Sequence, residues 1–164
     1  MKKFPFLILF IVLANFCFGQ DAPATLYHPN ADAKKEIKEA LVQSKKGGKH
    51  VILQIGGNWC KWCLEFNRFL HADSQLDSMV STNFVYYHLN YSKENKNEDL
   101  LAKYGFPQRF GFPVFVVLDA DGNYLHTESS VYLEEGKSYS KEKIFAFLKL
   151  WNPAALSPET YKKK

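Results

Sequence analysis

The amino-acid sequence predicts an α/β fold: a mixed central β-sheet of four to five strands with helices on both faces. Three observations carry that prediction. Short apolar runs rich in β-branched and aromatic residues, at 50–55, 84–89 and 114–118, are separated by segments of helical period. The first two runs are joined through helices, which implies parallel pairing. The third meets the turn Asp119-Ala120-Asp121-Gly122-Asn123 and continues into 124–128, the pattern of an antiparallel hairpin at one edge.

Each element has its own signal. Over 31–46, Ala33, Ile37, Leu41 and Ser44 share one helical face and Lys and Glu occupy the other, until Gly47-Gly48 ends the helix. Val51-Ile52-Leu53-Gln54-Ile55 is a buried strand, broken by Gly56-Gly57-Asn58. A second helix is expected over 60–71, with Cys63, Phe66 and Leu70 at i, i+3 and i+7. Ser74-x-x-Asp77 resembles a capping box and opens a short helix over 74–80. A strand at 84–89 and a polar, flexible stretch at 90–97 come next. A short helix over 98–104, ended by Gly105, follows them. The last helix, 140–151, aligns Ile144, Phe147, Leu148 and Trp151, and Pro153 stops it.

The first nineteen residues read as an address rather than as fold. Lys2 and Lys3 precede an apolar run from Phe4 to Phe18, which is shorter than the about 20 residues a membrane span requires. Ala14 and Gly19 are small residues of the kind found at cleavage sites, so 1–19 is expected to be a signal peptide. Phe16 before Cys17 argues against lipid attachment there, and an uncleaved anchor is the alternative. Export to the periplasm or beyond follows, with a mobile segment at 20–31, one domain at 32–152 and a tail at 153–164. The net charge of +4 includes Lys2 and Lys3, so the remainder is nearly neutral and gives no reason to expect nucleic acid. No repeat or linker splits the chain, and a monomer is expected.

Chemistry concentrates in Trp59-Cys60-Lys61-Trp62-Cys63. A strand, a tight turn and a helix beginning at the first cysteine direct unpaired N–H groups and the helix dipole at Cys60, favouring its thiolate. Cys63, one turn on, is close enough to close a disulfide. Structural zinc would need two more ligands, yet the only other cysteine is Cys17. The five histidines also lack H-x₃₋₅-H spacing. A purely structural role is disfavoured because so short a loop constrains the unfolded chain little. Redox chemistry is the expectation, with no metal and no cofactor.

Over 32–152 the chain resembles thioredoxin-fold proteins. The resemblance rests on the Cys-x-x-Cys after a buried strand, on Leu89-Asn90 and on Lys103-Tyr104-Gly105-Phe106. It also rests on Gly111-Phe112-Pro113-Val114 entering a strand. The Trp-Cys-x-Trp-Cys form is similar to exported thioredoxin-like domains of disulfide-reducing systems and to small envelope proteins related to thioredoxin. The resemblance implies that Cys60 attacks a substrate disulfide and that a buried Cys63 resolves the mixed disulfide. It makes Pro113 a cis-proline beside the cysteines, with the backbone of Phe112 pairing an extended substrate segment. Trp59, Trp62 and Phe112 would surround Cys60 with apolar surface; the alternative for Trp59 is a place mainly in the core. Lys61 is either a thiolate-stabilising charge or a solvated surface lysine.

Two departures stand out. Where thioredoxins carry a buried aspartate that assists the second cysteine, this chain has Gln54, which takes no proton. Where they place a lysine on the next strand, it has His88, leaving water, His88 or Glu65 to move the Cys63 proton. The expected function is an exported thiol–disulfide oxidoreductase reducing protein or peptide disulfides and recharged by a membrane electron donor. An oxidase or isomerase, and a non-catalytic peptide-binding module, are the alternatives.

Overall fold

The computed structural model describes residues 25–162. The expected signal peptide, with Cys17, lies outside the described residues. The elements run α1 (Ala33–Gly47), β1 (His50–Gly56), α2 (Lys61–Ala72), α3 (Ser74–Asn83), β2 (Phe84–Asn90) and α4 (Glu98–Lys103). They continue as β3 (Val114–Leu118), β4 (Tyr124–Ser129), β5 (Glu134–Glu135), β6 (Ser138–Tyr139), α5 (Lys141–Trp151) and α6 (Pro153–Leu156). Four strands form one sheet in the order β2-β1-β3-β4. β1 pairs parallel with β2 and antiparallel with β3, and β3 pairs antiparallel with β4.

Every residue of β1 is buried, because this central strand is covered on both faces. Its alternation divides the core. Val51, Leu53 and Ile55 point with Val114, Val116 and Leu118 toward Ala33, Ile37 and Ala40 of α1 and Leu100 and Leu101 of α4. Ile52 points the other way with Phe115 and Val117, toward Phe66 and Leu70 of α2, Leu76 and Val80 of α3 and Ile144, Phe147 and Leu148 of α5. Gln54 shares the parity of Ile52, which puts a polar side chain under α2.

Several segments differ from their sequence expectation. The lead-in expected to be mobile over 20–31 is anchored at Tyr27, which is fully buried. The Asn58 side chain accepts from the Tyr27 N–H at 3.0 Å and donates to the Tyr27 carbonyl at 2.7 Å, satisfying that backbone as a neighbouring strand would. The stretch at 90–97 is likewise tied by side-chain hydrogen bonds. Asn90 donates to the Asn95 carbonyl at 2.8 Å, Asn97 to the Asn90 carbonyl at 2.8 Å and Asn95 to the Pro29 carbonyl at 3.0 Å. Short amide side chains substitute there for a missing ladder. Pro153 both ends α5 and starts α6, with the Asn152 side chain accepting from the Ala155 N–H at 2.8 Å. The tail is therefore helical from Pro153, with a 3₁₀ turn at Pro158–Tyr161.

The β5–β6 ribbon, which has no clear sequence signal, braces α2. The Tyr139 hydroxyl donates to the Trp62 carbonyl at 3.0 Å, and its ring meets Phe66 edge-on at 4.9 Å. Phe115 is fully buried against Phe66, with ring centroids 4.5 Å apart, and links the sheet to the same helix. Phe115→Ala is expected to cost about 3–5 kcal/mol in denaturant unfolding. A loss below about 1 kcal/mol would mean that the sheet–α2 contact is not a core contact.

Candidate active site

The site forms where β1 gives way to α2. Cys60 is the N-cap of α2, in an extended backbone conformation, and its Sγ accepts the Cys63 N–H at 3.1 Å. Its carbonyl accepts from the Cys63 and Leu64 N–H groups at 3.0 and 3.2 Å. A sulfur thus occupies the capping position normally filled by a serine or aspartate oxygen, where the positive end of the helix dipole favours negative charge. Cys60 and Cys63 are joined as a disulfide with Cα atoms 5.2 Å apart. Cys60 keeps 6% of its surface exposed and Cys63 none. A nucleophile attacking from solvent therefore meets Cys60 first, and Cys63 reacts only from within.

Close packing enforces that arrangement at Gly56. A Cβ there would lie 2.4 Å from Cys63 Sγ and 3.0 Å from the Tyr27 hydroxyl, so the last residue of β1 must lack a side chain. Tyr27, Cys60 and Cys63 form a small buried cluster with Leu26 and Phe112 against it. The position of Tyr27 had only a weak sequence signal, an apolar Leu26-Tyr27 pair in an otherwise polar lead-in. Asn58, which holds it, is hidden in a turn whose composition says only that the chain reverses.

The Phe112–Pro113 peptide bond is cis, and Pro113 is buried at the entry to β3. Phe112 stacks on Tyr91 at 4.9 Å and meets Trp59 edge-on at 5.4 Å. Trp59 is 56% exposed and its indole N–H donates to the Tyr91 carbonyl at 2.7 Å, so it lies at the surface and not in the core. Beside it, Trp59, Tyr91, Ser92, Lys93, Glu94 and Lys96 line an apolar cleft of about 450 Å³. Trp62 packs edge-on against Tyr139 at 5.4 Å on the other side of the cysteines, and Lys61 is exposed between the two tryptophans.

The candidates for moving the Cys63 proton fall in different places. Glu65 is engaged by Arg68 through two hydrogen bonds, at 2.8 and 2.6 Å, and accepts from the Ser138 hydroxyl at 2.6 Å. The Arg68 guanidinium, then Ser138, hold its carboxyl down at about 2. Two residues from Cys63 on a helix, it points to a different face. His88 sits between Tyr27 and Tyr86, at ring distances of 5.3 and 5.2 Å. Burial, with smaller repulsions from His71 and His28, lowers its pKa to about 4, so it is neutral near pH 7. Its Nε2 is buried with no hydrogen-bond partner among the described residues. Gln54 is fully buried and does reach the site, donating to the Cys63 carbonyl at 3.1 Å and to the Tyr27 hydroxyl at 2.6 Å. Among the described residues no group of three His, Cys, Asp or Glu is placed to hold a metal ion.

A family model for the thioredoxin-like domain matches residues 37–136, more than half of the chain. The chain belongs to the thioredoxin-like domain family. Its Cys-x-x-Cys disulfide lies at the start of α2. Among curated relatives, the thiol:disulfide interchange protein DsbD of Salmonella typhi is 29% identical over 113 residues, 67% of this chain. DsbD of Escherichia coli O6:K15:H31 is 28% identical over 114 residues. The chain spans 19% of the length of these relatives. A disulphide isomerase from Xylella fastidiosa Temecula1 superposes with a TM-score of 0.69 at 26% identity, covering 78% of this chain and 97% of that one. A DsbH oxidoreductase gives 0.52 at 27% identity, covering 69% and 81%.

Gly56→Ala forces Cys63 Sγ to move and is expected to cost about 1–3 kcal/mol of stability in the oxidised protein. It should also slow disulfide exchange. Unchanged unfolding and unchanged exchange would show that the close approach is not a constraint.

Proposed function

We propose that the protein is an exported thiol–disulfide oxidoreductase that reduces disulfides of proteins or peptides, acting as a monomer. One observation carries the division of labour: the solvent-reachable sulfur is the helix cap and the other sulfur is sealed behind it. Reduced Cys60 attacks a substrate disulfide, the substrate's first thiolate leaves, and a mixed disulfide forms. Cys63 then attacks Cys60 and the second substrate thiol is released, so two electrons pass to the substrate and the enzyme ends as the disulfide.

Direction is read from how few groups add to the helix end in stabilising the Cys60 thiolate. Strong oxidants owe their potential to a strongly stabilised reduced form. Here the Cys63 N–H is the one hydrogen-bond donor to Cys60 Sγ among the described residues, and the neighbouring cation, Lys61, is solvated. The similarity to DsbD supports a membrane electron donor as the source of reducing equivalents. Export rests on the Lys2-Lys3 start and the apolar run after it, with an uncleaved anchor as the alternative. Among the described residues no helix is long and apolar enough to cross a membrane. The aromatic rim of Trp59, Trp62 and Phe112 suits an extended peptide beside the cysteines, paired through the Phe112 backbone. An isomerase is the second reading, favoured by the likeness to the Xylella protein.

The reduction potential separates these readings, and Cys63→Ser protein tests the substrate class. A potential below about −200 mV and covalent capture of protein disulfides by Cys63→Ser are expected. A potential above about −150 mV would overturn the reductase assignment in favour of an oxidase or isomerase.

A further inference from the structure

The absence of a buried acid at position 54 leaves open what stabilises Cys63 when it must ionise, and the hydrogen bonds around Gln54 supply an answer. The amide reaches three groups: the Cys63 carbonyl at 3.1 Å, the Tyr27 hydroxyl at 2.6 Å and the Tyr86 hydroxyl at 2.6 Å. The Cys63 carbonyl only accepts, so the nitrogen of the amide must face it. That nitrogen also faces Tyr27, whose oxygen therefore accepts, while Tyr86 donates to the amide oxygen. The hydroxyl proton of Tyr27 is thus left to point away from Gln54. Tyr27 packs on Cys63, and the clearance at Gly56 puts its hydroxyl and Cys63 Sγ against the same point.

We infer that the Tyr27 hydroxyl donates a hydrogen bond to the Cys63 thiolate, oriented by Gln54, and that this bond takes the place of a buried carboxylate in the resolving step. The inference rests on the exchange reading given above. The step conserves protons: Cys63 gives up its thiol proton, its sulfur attacks Cys60, the Cys60–substrate bond breaks and the departing substrate thiolate takes a proton up. Tyr27 keeps its own proton throughout. Burial raises its phenol well above the usual range, so it remains a donor. The other titratable groups around Cys63 are Cys60, Tyr86, His88 and Tyr139. His88 is neutral near pH 7, and burial raises both tyrosines above their usual range. These three bring no charge to Cys63 at that pH, and Cys60 is uncharged while it is held in the mixed disulfide.

The test uses the full chain with Cys17→Ser, reduced and mixed with an aromatic disulfide whose released thiol absorbs visibly. A first phase reports attack by Cys60 and a second reports resolution by Cys63. Tyr27→Phe is expected to leave the first phase within about twofold and to slow the second about tenfold or more, the size of a hydrogen bond to a charged group. In Cys17→Ser/Cys60→Ser protein, the ultraviolet thiolate absorbance of Cys63 should titrate about one pH unit higher once Tyr27→Phe is added. Gln54→Met, which keeps both tyrosines, should shift both readouts in the same sense. An unchanged second phase and an unchanged midpoint in Tyr27→Phe overturn the inference with the exchange reading intact. A parent protein without a first phase overturns both.

Discussion

A sulfur atom caps a helix, and the rest of the molecule is arranged around that contact. Capping by Cys60 requires the chain to leave a buried strand, turn within Gly57-Asn58-Trp59 and enter α2 with its first N–H groups unpaired. The same geometry brings Cys63 one turn deeper, within reach of Cys60 and out of reach of solvent. Accessibility and electrostatics therefore favour the two proposed roles together.

The scaffold holds that helix from three sides. The sheet presses Phe115 against Phe66, the β5–β6 ribbon ties Tyr139 to the Trp62 carbonyl, and Tyr27 closes the cluster from the N-terminal side. At Gly56 the strand and the deeper cysteine approach closely, and a single methyl group there has no room. On the open side the aromatic surface is itself organised. Tyr91 accepts from Trp59 through its carbonyl and stacks on Phe112 through its ring, so the loop after β2 positions the rim.

Much of this was legible in the sequence because it depends on local pattern. The continuous apolar runs gave β1 and β3, since a strand covered on both faces has no polar alternation to obscure it. The cysteine spacing and the residues around Phe112-Pro113 pointed to the candidate site. What escaped notice depends on long-range pairing. Tyr27 is 31 residues from the asparagine that holds it, and a single apolar pair in a polar lead-in marks only weakly an aromatic ring that will end in the core. The loop after β2 has the polar composition of a flexible stretch. Here its asparagine side chains replace the ladder. Glu65 was a candidate by proximity in sequence, but the helical period turns it toward Arg68 and Ser138.

The claim that governs the whole account is that the Cys60 sulfur is stabilised as an anion by the end of the helix. The direct measurement is the ionisation midpoint of Cys60 in reduced Cys63→Ser protein, followed by the pH dependence of its alkylation. A midpoint clearly below the about 8.5 of free cysteine, with fast reaction toward glutathione disulfide, is the predicted result. A midpoint at or above that value, with no exchange, would contradict it and leave a thioredoxin-like fold without the reactivity of its cysteines.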